Sequence, residues 1–284
     1  MANLADIGAP RPAGKVVVKF GGSSIGGMEQ IDVFARQISE LRERGLTPVI
    51  LHGGGPEITD EMKRCGLPVK KVAGLRITDD VTLQIAKAVL SRINDRVVVS
   101  LRNAGLKAIG VAGSEADTLV TRKMEPVIID GAGGKEIVDL GHVGEVVKVD
   151  PRLVNTLCDK GFVPVVYSIC ADDSGMLMNV NADTAAAALA AGIGATDMVL
   201  VTDAPGVLRV FEDLSSTIPE IREADLGPLT SSGILKDGMI PKVEACFIAL
   251  RGGVRTAHII CGTTPNSIVD QLFSGRNLGT RLVL

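Results

Sequence analysis

The chain of 284 residues is 46% hydrophobic and 22% charged, which is the composition of a folded globular protein and excludes a disordered one. Its formal net charge is −3, its basic residues are scattered, and only 2% of its residues are aromatic. A nucleic-acid partner is therefore not expected, because neither a basic surface nor a stacking surface is available.

The five cysteines are widely spaced and form no CxxC pair, so we expect reduced core thiols and neither a disulfide framework nor a zinc site. No apolar run approaches the roughly 18 residues that cross a membrane, and residues 1–15 hold no long apolar stretch. The sequence thus predicts a cytoplasmic protein without a membrane partner.

Apolar runs of strand length alternate with longer segments of helical period, which predicts βαβ units around a largely parallel sheet. In the first half of the chain we predict strands over 16–20, 47–52 and 108–111, helices over 31–44 and 56–66, a long helix with a break over 81–103, and short strands or hairpins over 118–149. In the second half we predict helices over 153–160, 184–191, 242–252 and 268–273, strands over 163–167, 198–202 and 257–260, and turns with some helix over 213–233.

A change in composition near residues 171–179 indicates two lobes. We expect an irregular leader over 1–14, an N-terminal lobe over 15–174 and a C-terminal lobe over 175–284. The nearly all-alanine helix near the start of the second lobe must pack closely against a neighbour, because alanine favours helix and permits near approach.

Two predicted strands end in glycines before a helix, at KFGG (19–22) and at HGGG (52–55). Such a turn directs backbone N–H groups from the positive end of a helix dipole, where a phosphate or carboxylate binds well. Neither turn matches the GxxxxGK[ST] P-loop or the GxGxxG dinucleotide motif, and each by itself could be a tight turn that needs glycine. Two such turns at consecutive strand ends favour an anion site.

Three charged side chains are candidates for a functional role at that site. Lys19 ends an otherwise buried strand, where a lysine needs an anion, although an edge lysine that faces solvent is the alternative. Lys242 lies in a turn before a helix, with a solvated helix start as its alternative. Asn179, Asn181 and Asp183 alternate before the alanine helix and could share one face, while Asp183 could instead be the N-cap of that helix.

A loop over 203–208 follows a predicted strand and suits either a nucleotide-facing loop or an ordinary Pro-Gly turn. Of the histidines, His52 and His142 are expected to be structural partners, and His258 is expected to lie in the core.

The chain resembles the amino-acid kinase family through a series of motifs in the family's order. They are VVVKFGGSS, LHGGGPEI, LPVKKVAGLRIT, DLGHVGEV, MNVNADTAA, VTDAPGVL and DGMIPKV, and the resemblance covers nearly the whole chain from about residue 15. Within the family they are most similar to the enzymes that phosphorylate N-acetyl-L-glutamate.

The resemblance implies a three-layer αβα sandwich around a mainly parallel sheet of about eight strands. It implies ATP-dependent phosphorylation of the γ-carboxylate of N-acetyl-L-glutamate, an early step of arginine biosynthesis. The N-terminal lobe would bind the acetylamino acid and form the dimer, and the C-terminal lobe would bind ATP.

Carried over residue by residue, the resemblance assigns a role to each candidate. Lys19 and Lys242 would stabilise the charge of the phosphoryl group in flight, and Asp183 would orient both lysines. The substrate side would consist of Gly54, Gly55, Arg76 and Asn179. The phosphate and nucleotide side would consist of Gly21, Gly22, Asp203, Ala204, Pro205, Gly206, Val207, Leu208, Ile234, Leu235 and Lys236, with an N–H group of Gly54 also on phosphate.

These residue types suit the chemistry. Phosphoryl transfer needs alignment and charge stabilisation more than covalent work, and the planar fork of Arg76 can bind the substrate's α-carboxylate together with Asn179. A γ-carboxylate is already ionised at pH 7, so no general base and no catalytic histidine is required. Mg²⁺ would arrive with ATP and keep its waters, with no ligand from protein side chains.

Two alternatives remain open. The substrate could be N-acetyl-aminoadipate or aspartate, because one methylene is worth only about 1 to 3 kcal/mol of discrimination, and KFGGSS also resembles the opening of aspartokinases. The chain could also be a catalytically silent nucleotide or amino-acid sensor of the same fold, although Lys19, Asp183 and Lys242 argue against that reading.

The resemblance is closer to the kinases that arginine does not inhibit. The leader holds two prolines and two glycines and is too irregular for the N-terminal helix of the inhibited kind. Gln271 stands where the inhibited kinases usually have glutamate. We therefore predict a homodimer without arginine feedback.

Overall fold

The computed structural model describes residues 13–21, 27–131 and 134–284, and an eight-stranded sheet forms the centre of this part of the chain. Within it, neighbouring strands are parallel except for one antiparallel pair, formed by Thr256–Cys261 and Thr280–Val283. In spatial order the strands are β14 (Glu220–Arg222), β16 (Thr280–Val283), β15 (Thr256–Cys261), β13 (Asp197–Thr202), β1 (Lys15–Phe20), β2 (Thr47–His52), β10 (Val163–Tyr167) and β5 (Ala108–Ala112).

Helices cover both faces of the sheet. The first face carries α1 (Met28–Glu43), α2 (Gly55–Arg64), α3 (Asp80–Asn103) and α8 (Ser267–Phe273), and the second carries α4 (Arg152–Asp159), α5 (Ala182–Gly192), α6 (Leu226–Ser231) and α7 (Met239–Arg251). Alternate residues of β1 enter the two cores, Val16 and Val18 on the first face and Val17 on the second. Burial on both faces explains the continuous apolar runs of the strands. The expected three-layer αβα sandwich around a mainly parallel sheet is confirmed.

The central sheet continues across the expected boundary between the lobes. Strand β1 pairs with β2 on one side and with β13 on the other, so residues from both lobes belong to one sheet. The boundary at 174/175 therefore stays a prediction, and most of the leader, residues 1–12, lies outside the described residues.

Smaller sheets lie beyond the ends of the central strands. Four of their strands close into a small barrel, and four form two hairpins. The barrel contains β6 (Leu119–Lys123), β9 (Val143–Val149), β11 (Ile169–Asp172) and β12 (Leu177–Val180); the hairpins pair β3 (Lys71–Val72) with β4 (Leu75–Arg76) and β7 (Val127–Gly131) with β8 (Gly134–Val138). The short strands predicted over 118–149 are thus present, and β12 leads directly into α5.

The break predicted in the helix over 81–103 is wrong, because α3 runs unbroken from Asp80 to Asn103. Asp79 caps its start by accepting the N–H of Thr82 at 2.8 Å. Neither glycine nor proline interrupts the helix, and buried apolar residues recur along its whole length. Packing therefore keeps the helix continuous across its polar positions.

The alanine helix α5 packs against α7, as its composition predicts. Ala185, Ala186, Ala187 and Ala190 are fully buried, and a side chain on Gly252 at the end of α7 would collide with α5. Among the described helices, none combines the length and the apolar character needed to cross a membrane.

Candidate active site

The carboxyl ends of β1, β2 and β13 meet at one edge of the central sheet. Their parallel pairing places Lys19 of β1 between Leu51 of β2 and Leu200 of β13. The loops that follow these strands therefore share one cleft, the position at which open α/β sheets bind ligands.

Three charged side chains form an ion cluster in this cleft. The Nζ atom of Lys19 lies 2.9 Å from Oδ1 of Asp183, and Nζ of Lys242 donates to Oδ2 at 2.7 Å. Lys19 is 7% exposed and Asp183 is 5% exposed. Burial alone would raise the pKa of Asp183, but the two ammonium groups outweigh it and hold that pKa below its usual value. One carboxylate thus bridges the two ammonium groups.

Local helix capping leaves the Asp183 carboxylate available. Asn181 is the N-cap of α5, because its Oδ1 accepts the N–H groups of Asp183 at 2.8 Å and of Thr184 at 3.2 Å. The capping role considered for Asp183 is therefore wrong. Lys242 stands in the first turn of α7, where the helix dipole disfavours a cation, and Asp183 offsets that disadvantage.

The ion cluster lines a central cavity of about 240 Å³ that reaches both glycine turns. A Cβ on Gly21 would lie 2.6 Å from Nζ of Lys19, so glycine at this position leaves room for the ammonium group. The candidates that line the central cavity are Lys19, Gly21, Gly54, Gly55, Asp183, Asp203 and Lys242. Gly22, also predicted here, lies outside the described residues.

A second cavity of about 160 Å³, here called the Arg76 cavity, shares Gly53–Gly55 with the first. Arg76 ends β4 and is 7% exposed, and its Nη2 donates to the Gly55 carbonyl at 2.9 Å and to Oγ1 of Thr59 at 2.6 Å. Burial lowers the pKa of Arg76, but a guanidinium stays charged in proteins. No carboxylate of the described residues pairs with Arg76, so its charge is available to an anionic ligand.

Thr78 connects Arg76 to Asn179, which is distant in sequence. Its hydroxyl donates to the Arg76 carbonyl at 2.8 Å and accepts from Nδ2 of Asn179 at 3.3 Å. The four residues predicted for the substrate side therefore come together in one cavity: Gly54, Gly55, Arg76 and Asn179.

A third cavity of about 250 Å³, the Phe211 cavity, is lined by residues that follow Asp203 along the chain and by residues between 233 and 239, which precede Lys242. The Phe211 side chain is 74% exposed, and Nζ of Lys236 lies 4.8 Å from its ring centroid, a cation–π contact. The predicted nucleotide residues that line this cavity are Ala204, Gly206, Val207, Leu208, Ile234 and Lys236.

Two predicted nucleotide residues, Pro205 and Leu235, line neither the Phe211 cavity nor the central cavity. Leu235 is 3% exposed and belongs to the core on the second face, and Pro205 is not among the cavity-lining residues. Phe211 was not predicted, although an aromatic residue in a polar loop is a signal in a chain with 2% aromatics. Lys71 and Gly74 of the Arg76 cavity were not predicted either, although both lie in the LPVKKVAGLRIT motif.

Protein ligands for a metal ion are not assembled here. Across the described ranges, no group of three or more His, Cys, Asp or Glu side chains is arranged to hold one. Asp183 is already engaged by two ammonium groups, so the cleft suits a ligand that carries its own cation and much negative charge.

Two lysines that share one aspartate at the strand ends can stabilise the charge of a phosphoryl group, and the comparison with known families identifies the class of protein. Residues 14–261 match the model of the amino acid kinase family. Since the match spans most of the chain, the protein belongs to the amino acid kinase family.

Its similarity to curated relatives is more specific. The chain is 38% identical to the acetylglutamate kinase of Methanothermobacter thermautotrophicus, over 94% of this chain and 92% of that protein. It is 40% identical to the acetylglutamate kinase of Methanothrix thermoacetophila over 94% and 91% of the two chains. It is 36% identical to that of Heliobacterium modesticaldum over 94% and 91%.

Solved structures show the same fold at lower identity. N-acetylglutamate synthase from Neisseria gonorrhoeae, complexed with coenzyme A and N-acetyl-glutamate, has a TM-score of 0.82 at 20% identity. The alignment covers 95% of this chain but 59% of the synthase, so this chain spans less than two thirds of that protein. Carbamate kinase from Giardia lamblia bound to AMP-PNP has a TM-score of 0.68 at 14% identity, with 96% and 99% coverage.

Proposed function

We propose that this chain catalyses ATP-dependent phosphorylation of N-acetyl-L-glutamate, giving N-acetyl-L-glutamyl 5-phosphate and ADP in an early step of arginine biosynthesis. The observation that carries the proposal is the ion cluster of Lys19, Asp183 and Lys242. The Arg76 cavity adjoins the central cavity and holds an arginine that pairs with no carboxylate of the described residues, and the Phe211 cavity is largely apolar. Relatives named acetylglutamate kinase, 36% to 40% identical, support the same substrate.

In this proposal the ion cluster stabilises the transferred group. Lys19 and Lys242 approach the phosphoryl oxygens, and Asp183 keeps both ammonium groups in place between turnovers. Backbone N–H groups of Gly21, Gly22 and Gly54 donate to the same oxygens. Lys19 and Asp183 are buried, so the charge of Lys19 acts more strongly on developing charge than it would in solution.

The acidic substrate lies in the Arg76 cavity, with its α-carboxylate on Arg76 and Asn179. Its γ-carboxylate then points past Gly54 and Gly55 towards the ion cluster and attacks the γ-phosphorus of ATP, while ADP leaves towards the Phe211 cavity. A carboxylate is ionised at neutral pH, so no general base is needed. In this proposal the lobe over 15–174 supplies Gly54, Gly55 and Arg76 to the acid, and the lobe over 175–284 supplies Asn179 and holds the nucleotide.

Mg²⁺ belongs to this proposal as part of the nucleotide. It would bind phosphate oxygens and water, and when bound it neutralises phosphate charge. The residues present fit that arrangement, because the cleft offers ammonium and N–H groups and not a cage of carboxylates.

Trapping of the acyl phosphate with hydroxylamine tests the function. We expect hydroxamate from N-acetyl-L-glutamate with ATP and Mg²⁺, and a much lower rate from glutamate, N-acetyl-aminoadipate and aspartate. A higher kcat/KM for one of the other acids would assign the enzyme to that substrate. Binding of both ligands by calorimetry without any hydroxamate would instead support a silent sensor.

The quaternary and regulatory part of the proposal is a cytoplasmic homodimer that arginine does not inhibit. Gln271 supports the second point, because its uncharged amide already contacts His258 at 3.0 Å and accepts the N–H of Leu278 at 2.7 Å. Molar mass in solution and activity curves with and without millimolar arginine check both points. A shift of either on adding arginine would contradict the proposal.

A further inference from the structure

A fully buried histidine lies directly behind the second glycine turn. His52 ends β2, its exposure is 0%, and its ring centroid lies 6.1 Å from that of Tyr167. It is not among the residues that line the three cavities, and the proposed reaction does not use it. Its Nδ1 atom lies 2.9 Å from the carbonyl oxygen of Gly53.

Asn94 on α3 determines which ring nitrogen of His52 carries the proton. The Nδ2 group of Asn94 donates to the Val165 carbonyl at 2.8 Å and lies 3.0 Å from Nε2 of His52. One NH₂ group can supply a hydrogen to each of these partners, which makes Nε2 an acceptor. The proton is then on Nδ1, which donates to the Gly53 carbonyl.

The charge state of His52 agrees with this arrangement. Burial, the largest cause, lowers its pKa to about 4, with Lys19 acting in the same direction and the bond to Gly53 opposing it. The ring is therefore neutral at physiological pH. A side chain on Gly110 of β5 would collide with the Asn94 amide, so that strand leaves space for the amide beside the histidine.

The carbonyl that His52 holds belongs to the peptide that carries the N–H of Gly54. A trans peptide is planar, and its C=O and N–H point in opposite directions. The carbonyl is bound on the buried side by His52, so the N–H of Gly54 is directed to the other side, where Gly54 lines the central cavity. Glycine restricts its backbone dihedral angles little, so the peptide between Gly53 and Gly54 needs a contact from another residue to fix its orientation.

We propose that His52 is a positioning residue, whose Nδ1–H holds the Gly53 carbonyl and thereby aims the Gly54 N–H at the transferred phosphoryl group. This inference rests on the proposed function and names what orients one of its donors. An N–H group that already points at the phosphoryl oxygens does not have to reorient during the reaction. Its catalytic effect comes from this preorganisation.

Two substitutions of His52 distinguish its hydrogen bond to Gly53 from its role in filling space in the core. In His52→Asn, the amide nitrogen of the side chain replaces Nδ1 and can still donate to Gly53, whereas His52→Leu has no donor. Both variants lose the contact with Asn94, so both are expected to lose thermal stability to a similar extent. We expect kcat of His52→Leu to fall by about tenfold to a hundredfold with a small change in KM for ATP, and His52→Asn to recover most of that loss.

The outcomes are distinguishable. Equal kcat values in the two variants, whether both normal or both low, would show that the donor at position 52 does not matter and would overturn the inference. The proposed function would stand, because it rests on the activity of the wild-type chain. A wild-type chain that forms no acyl phosphate would refute the proposed function and this role with it. If His52→Leu does not fold, ¹⁵N NMR of the wild-type histidine decides: a proton on Nδ1 with a bare Nε2 supports the inference, and the reverse tautomer overturns it.

Discussion

The Arg76 cavity and the Phe211 cavity are built in opposite ways. The Arg76 cavity, of about 160 Å³, surrounds a guanidinium that is 7% exposed and is held by hydrogen bonds to Gly55 and Thr59. The Phe211 cavity, of about 250 Å³, is lined largely by apolar side chains and backbone, and its aromatic ring is 74% exposed.

This difference predicts which of the two ligands the enzyme selects more strictly. A buried charge with fixed hydrogen bonds penalises every ligand that leaves it unpaired, so the Arg76 cavity can reject substrates that lack a carboxylate. Stacking on an exposed ring is tolerant, because every nucleobase has a π face. We expect the enzyme to select its acid strictly and its nucleotide base loosely.

The largest effect is expected at the ion cluster, which belongs to neither cavity. Replacing Lys242 with alanine should lower kcat by about a hundredfold, because a donor to transition-state charge is lost, with little change in the KM for N-acetyl-L-glutamate. Steady-state kinetics on both substrates measure this, with Glu244→Ala on the exposed side of α7 as the control. A rise in the KM for the acid without loss of kcat would mean that Lys242 binds the acid. It would contradict the separation of the ion cluster from the Arg76 cavity.

The next effect concerns Arg76 itself. Arg76→Ala should raise the KM for N-acetyl-L-glutamate by about tenfold to a hundredfold, since a charge-assisted hydrogen bond is worth about 1.5–3 kcal/mol, and the KM for ATP should hardly change. Arg76→Lys should restore only part of the loss, because an ammonium cannot bind a carboxylate bidentately. The exposed Arg64→Ala on α2 is the control. Equal changes in both KM values would mean that the two cavities are not independent.

Acid should destabilise the fold through His52, which lies behind the glycine turn that the Arg76 cavity and the central cavity share. Its pKa is about 4 in the folded chain against 6.5 when unfolded, so the unfolded chain binds more protons below pH 6.5. Stability is complete above that pH and declines as the pH falls towards 4, by about 1 kcal/mol between pH 7 and pH 5.5.

Denaturant unfolding at several pH values measures this decline. His52→Asn removes the titrating group, so the slope in this pH range should flatten. An unchanged slope in the variant would mean that another group is responsible.

The smallest effect is expected at the exposed ring. Phe211→Ala should raise the KM for ATP by about fivefold, which corresponds to about 1 kcal/mol at the lower end of the range for a stacking contact, and should leave the KM for N-acetyl-L-glutamate unchanged. Val210→Ala alters the neighbouring exposed side chain outside the cavity and serves as the control. Phe211→Trp would introduce the sole tryptophan of the chain, and its fluorescence should respond to ATP. No response would show that the base binds elsewhere.

Strands and helices of the central sandwich were predictable because their signals are local. The bounds predicted for β2 and β10 are those observed, since buried parallel strands appear as short apolar runs between turn residues. Strands β12, β14 and β16 were missed, because each has three or four residues and is stabilised by pairing with distant chain. The break expected in α3 was wrong because packing of the whole helix outweighed its local polar positions.

For the site, the sequence by itself determined which residues are available: two lysines at the ends of buried or turn segments, an aspartate before an alanine helix, and two glycine turns. Only the tertiary structure decided that Asn181 and not Asp183 caps α5, that one carboxylate bridges both lysines, and that Phe211 is exposed beside Lys236. The physical reason is that residue type and strand ends are local properties, whereas a distance between side chains on β1, α5 and α7 depends on how the crossovers bring those elements together.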